Sequence, residues 1–136
     1  MFSLYYERRH NVVMTRITGV LSSEDIEEHD RAVLNFLAGL FAREQKVRGL
    51  YDFSAVEALA VPISKINQRG QRPAIIDGQR VVVAPPGAAG RDFAGQIADQ
   101  LRTAGHREPT IVATLEEAYR LLDLEKPEFD RVDQPT

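Results

Sequence analysis

The run from Leu50 to Ser64, L-Y-D-F-S-A-V-E-A-L-A-V-P-I-S, constrains the fold more than any other stretch of the chain. Leu50, Tyr51 and Phe53 continue a compact apolar segment that begins at Val47, too short for a helix and best read as a central strand. Asp52 and Ser54 stand at its end. Pro62 then marks a helix start, because its ring presets the helical φ and its missing N–H is one that the first turn does not use. A buried strand breaking into a helix is the building unit of an α/β domain, and the connection between them is where such domains place working loops. Here the loop is Ala58, Leu59, Ala60 and Val61, which brings no reactive group of its own.

The flanking segments extend the same grammar. Phe2 to Glu7 and Val12 to Thr18 are β-rich runs separated by Arg8, Arg9, His10 and Asn11, which predicts an opening hairpin that ends at Gly19. Ser22, three residues before Asp25, is an acidic capping box. The helix behind it carries Ile26, Val33, Phe36, Leu37, Leu40 and Phe41 at helical spacing. A second helix is expected from Pro62 to Gly70, and Val81, Val82 and Val83 form a β-branched strand stopped by Pro85 and Pro86. Phe93, Ile97 and Leu101 space a third helix from Ala89 to Ala104, with Gly105 behind it. Ile111, Val112 and Ala113 read as a last strand, and Thr114 with Glu117 is a capping box for a closing helix. The predicted order is β-β-α-β-α-β-α-β-α: an α/β domain with a mixed sheet flanked by helices, spanning residues 1–124. Residues 125–136, with Pro127, Pro135 and several acids, are expected to form a flexible tail.

Composition removes several classes of function. With 136 residues, one domain with its own core needs neither disulfide nor metal. The absence of Cys excludes thiolate nucleophiles and zinc–thiolate sites. No apolar run approaches the ~20 residues of a membrane span, and the N-terminal charges follow the apolar residues, the reverse of a secretory signal. A cytoplasmic protein is therefore expected. A net charge of -3 gives no footprint for nucleic acid, although Lys65, Arg69, Arg72, Arg80 and Arg91 fall in a middle segment with few acids, while Glu24, Asp25, Glu27, Glu28 and Asp30 crowd the first helix.

Candidate site residues each have two readings. Asp52 and Ser54 end a central strand, where α/β proteins collect ligand-facing groups; equally, their side chains can cap nearby backbone amides. Gly87, Gly90 and Arg91 open the third helix, where exposed amides can hold an anion, but a tight strand-to-helix connection also explains the glycines. His10, His29 and His106 have no metal-ligand spacing and are expected at the surface. No catalytic residue, metal ligand or cofactor motif is nominated. Leu59, Val61 and Ile63 cannot all be buried by so short a helix, so an apolar patch that docks a protein partner or a second copy is expected there.

Three segments together resemble the STAS, or SpoIIAA-like, family of anti-sigma-factor antagonist domains: V-V-M-T-R-I-T-G-V-L-S-S-E-D-I from Val12, G-L-Y-D-F-S-A-V-E-A-L from Gly49, and T-L-E-E-A-Y-R-L-L from Thr114. The resemblance implies a regulatory or protein-interaction module without catalysis. In the family's switch-bearing members a phosphorylatable Ser opens the second helix, where added charge meets the positive end of the helix dipole. That position falls at or beside Val61, and Ala60, Val61 and Pro62 carry no hydroxyl. Ser64 follows, beside Lys65. The resemblance is therefore to the divergent branch that lacks the switch, with a small-ligand domain for a nucleotide, another anion or a lipid as the alternative function.

Overall fold

The computed structural model describes residues 1–39, 47–60, 76, 78–87, 90, 92 and 109–133, with the backbone alone at 58–60. In chain order the elements are β1 (Phe2–Glu7), β2 (Val12–Ser22), α1 (Ser23–Ala38), β3 (Arg48–Ala60), β4 (Arg80–Val83), β5 (Thr110–Val112), α2 (Leu115–Leu121) and β6 (Asp130–Arg131). The six strands form one sheet in the order β5-β4-β3-β2-β1-β6. β1 pairs antiparallel with β2 and β6, whereas β2, β3, β4 and β5 run parallel. The sheet is mixed, as expected. The helices expected at 62–70 and 89–104 fall outside the described residues, apart from Gly90 and Asp92.

Alternation along the strands divides the core into two faces. On one, Val12, Met14, Leu50, Val81 and Val83 pack against Ala118, Leu122 and Leu124 of α2 and the chain after it. On the other, Leu4, Tyr6 and Val13 pack against Val33 with Phe36 and Leu37 of α1, and Ile17, Leu21, Phe53 and Val82 continue that layer. Each fully buried Val or Leu contributes about 1.5–3 kcal/mol, so these side chains outweigh any surface pairing. Local signals set the helix starts. The Ser22 hydroxyl accepts a bond from the Asp25 amide, and the Asp25 carboxylate accepts one from the Ser22 backbone N–H. At α2 the box closes differently: Thr114 caps the Glu117 amide, but the Glu117 carboxylate takes the Thr114 hydroxyl, not its backbone N–H.

Three expectations need correction. β2 does not end at Gly19; it runs through it to Ser22, with Gly19 at φ +72°, in the left-handed region that suits glycine, where the β2–β3 register shifts. β3 does not end at Asp52 and Ser54 but continues to Ala60, still paired with β2. The segment after Leu124 is not free throughout, because Asp130 and Arg131 pair with Tyr6 and Tyr5 of β1 and the Val132 amide donates to the Leu4 carbonyl. Phe129 stacks on Tyr119 with ring centroids 6.1 Å apart, which brings this segment back over α2.

Candidate functional site

Asp52 is buried, with 4% of its surface exposed, on the β3 face that meets α2. A carboxylate so placed needs donors. Its Oδ1 accepts the Ser54 amide at 3.0 Å and the Ser54 hydroxyl at 2.6 Å; its Oδ2 accepts Arg16 Nε at 3.2 Å. The Ser54 contacts are the backbone-capping reading of these two residues, but they cap no turn. Pairing steps from Arg16↔Asp52 to Thr18↔Ala55, so β3 holds one residue more than β2 between these pairs. The Asp52–Ser54 bonds brace a bulge inside a continuing strand. Bulges re-aim side chains, and this one leaves Ser54 exposed.

The partner that sequence reasoning missed is Arg16. It stands opposite Asp52 in the β2–β3 register, so the ion pair crosses two parallel strands 36 residues apart. The Arg16 side chain is 40% exposed, and its guanidinium carbon lies 5.7 Å from the centroid of the Tyr5 ring. Its terminal amino groups have no acceptor among the described residues. Tyr119 completes the surroundings: burial pushes its hydroxyl above the ordinary tyrosine range, Arg16 opposes that rise, and the charge of Asp52 adds to it. Tyr5, Arg16, Asp52, Ser54 and Tyr119 thus gather on the sheet face beside α2.

Gly87 and Gly90 have local structural reasons. Gly87 has φ +91° in the turn after β4, and a Cβ on Gly90 would lie 2.5 Å from Pro85 Cβ and 2.8 Å from the Pro85 carbonyl oxygen. The tight connection therefore accounts for both. Arg91, Ser64, Val61 and Ile63 lie outside the described residues. Leu59 is in β3, paired with Leu21 of β2. β3 and β4 stay paired only to Asp52↔Val83, so beyond that point β2 and β3 continue, among the described strands, as a two-stranded ribbon ending at Ser22↔Ala60. Val20 on this ribbon is 51% exposed.

His29 was expected at the surface and is instead buried under α1, between the rings of Phe2 and Tyr51. Its Nδ1 lies 3.1 Å from Asp30 Oδ1 and its Nε2 lies 2.6 Å from the Thr15 hydroxyl oxygen. The connectivity is that of a nucleophile, base and orienting acid. Thr15 is only 1% exposed, however, so no substrate reaches its oxygen and the chain of bonds serves to fill the core. A signal for this burial was present: Ile26, His29, Val33 and Phe36 share one helical stripe. Arg48 was also missed; it donates to the Leu122 carbonyl at 2.7 Å and the His10 carbonyl at 3.3 Å, tying α2 to the opening hairpin.

Among the described residues no cluster of His, Asp or Glu has the arrangement of a metal site, and no helix is long and apolar enough to cross a membrane. No protein-family model and no curated protein matches the sequence. Solved structures do match. The anti-sigma factor antagonist SpoIIAA, in its unphosphorylated form, superposes with a TM-score of 0.57 at 16% identity, covering 90% of this chain and 98% of that one. An uncharacterized protein of the DUF3478 family with a SpoIIAA-like fold, from Shewanella loihica PV-4, superposes with a TM-score of 0.61 at 15% identity, covering 90% of this chain and 92% of that one. Together with the strand order and the helix on each face of the sheet, these superpositions establish that the fold of this chain is SpoIIAA-like.

Proposed function

We propose that this chain is a non-catalytic regulatory or interaction module of STAS type that docks a protein partner or a second copy through the end of the β2–β3 ribbon, without a phosphate switch. The observation that carries this reading is the ribbon itself. β3 runs past its last pairing with β4, Asp52↔Val83, to Ala60, and among the described strands β2 alone pairs with the stretch from Ala55 to Ala60. A strand pair that no further described strand joins on the β4 side, with Val20 exposed on it, favours association with another chain. The ribbon ends where the switch-bearing family members carry their Ser, and here Ala60, Val61 and Pro62 have no hydroxyl to modify.

Affinity capture from the native lysate tests the reading, using wild type, a Leu59→Asp/Val61→Asp double variant and a Val20→Asp variant, each confirmed folded by circular dichroism. The expected result is a reproducible partner, or self-association in sedimentation, that both variants lose. Retention of the same partners by both variants, or no association at all, overturns it. A second reading, a small-ligand domain, is favoured by one specific observation: the terminal amino groups of Arg16 that no described residue accepts from.

A further inference from the structure

We propose that Arg16 anchors a binding site for a carboxylate carried on an apolar body, on the sheet face beside α2. This narrows the ligand reading to one chemistry and does not depend on docking at the ribbon. Asp52 is not the group that touches the ligand, because both of its oxygens are already engaged, by Arg16 Nε and by the Ser54 amide and hydroxyl. Its role is positional: it holds one N–H of the guanidinium and so fixes a group that has five. The two terminal amino groups are left for an outside acceptor, and paired N–H donors match the two oxygens of a carboxylate.

The neighbours decide which anion. Every negative charge bound at Arg16 also feels Asp52, whose oxygen is 3.2 Å from Nε, so a monoanion is favoured over a dianionic phosphate ester. The Tyr5 ring lies beside the guanidinium, and Tyr5, Tyr119 and Phe129 pack together against the apolar core at the edge of α2. Aromatic walls next to a half-exposed Arg suit an aryl or alkyl group better than a hydrated one. The Tyr119 hydroxyl, within electrostatic range of both Arg16 and Asp52, has no hydrogen-bond partner among the described residues and can donate to the same carboxylate. Two sources fit this chemistry: a free organic acid, and the C-terminal carboxylate of a peptide ending in an aromatic residue.

The test is an NMR titration of the full purified chain, following backbone amides and the Arg16 Nε–H, with phenylacetate, phenylacetamide, phenyl phosphate, and a short peptide ending in Phe as free acid or as amide. The acids are expected to bind at least tenfold more tightly than the amides, about 1.4 kcal/mol, with phenyl phosphate weaker than phenylacetate. Arg16→Gln is expected to lose at least that tenfold, and Tyr119→Phe about threefold with an unchanged fold. A peptide acid tighter than phenylacetate identifies a protein C-terminus as the source; equal affinity identifies a small acid. Equal binding of acids and amides, or undiminished acid binding by Arg16→Gln, overturns the proposal, as does no shift of the Arg16 resonance with either acid. If Arg16→Gln does not fold, Arg16→Lys, which keeps the charge but not the paired donors, together with Tyr119→Phe carries the same test. No partner protein is present, so failure here leaves ribbon docking standing.

Discussion

Asp52, Arg16 and Ser54 form a unit in which each residue has a job the others cannot do. Removing Arg16 leaves a buried carboxylate with two Ser54 bonds and no counter-charge among the described residues, whereas removing both charges leaves only a polar pair to rearrange. A double-mutant cycle in urea denaturation, with Arg16→Gln, Asp52→Asn and both together, is expected to show Arg16→Gln destabilising by about 1–2 kcal/mol, moderated by the exposure of Arg16. The double variant is expected to recover about half of the summed loss. Additive effects would mean that the pair is not coupled. Asp52 and Ser54 were legible as a pair because side chains two residues apart reach each other's backbone by local geometry. Arg16 was not, since nothing in its own segment reveals which β3 residue the parallel register sets opposite it.

The elements whose starts depend on contacts three residues apart were the most legible. Ser22 with Asp25, and Thr114 with Glu117, announce α1 and α2 in the sequence and cap them in the structure. Asp25 also links α1 to pH. Burial works to raise its carboxyl, but the hydrogen bonds from the Ser22 hydroxyl and amide, together with the Met1 ammonium 3.4 Å from Oδ2, outweigh it and hold the group below the ordinary aspartate value. A carboxyl lowered in the folded state binds its proton more readily when unfolded. Its contribution is therefore fully present above the unfolded value of about 4 and is lost as pH falls through the lower folded value. Asp25→Asn is accordingly expected to flatten the acid limb of the stability curve below about pH 4 and leave its shape near pH 7 unchanged, read from urea midpoints across that range. An acid limb as steep as wild type would contradict this. Strand ends were the least legible: the bulges after Asp52 and Gly19 break the two-residue alternation that signals a strand, so β3 read as ending at Asp52 and Ser54.

At the scale of the whole molecule, the topology was readable because apolar strands alternate with amphipathic segments after the hairpin, and parallel pairing of β2 to β5 follows from that alternation. β6 was not, because a strand of two exposed residues, Asp130 and Arg131, carries no apolar pattern and is held through its neighbours Phe129 and Val132. The same topology places a long β2–β3 ribbon at the end of the parallel strands, and in the sequence Ala60 at its last pair is followed by Val61 and Pro62, none of which carries a hydroxyl. That placement joins fold to proposed function, and phosphate independence is its sharpest consequence. The direct measurement compares partner capture, or self-association, by wild type, Ser64→Ala and Ser64→Asp, with intact-mass analysis of the protein isolated from its native cells. The account predicts no phosphate on the chain and the same binding by all three forms, within about twofold, which is well under 1 kcal/mol. A phosphate at Ser64, with binding abolished by Ser64→Asp and kept by Ser64→Ala, would contradict it.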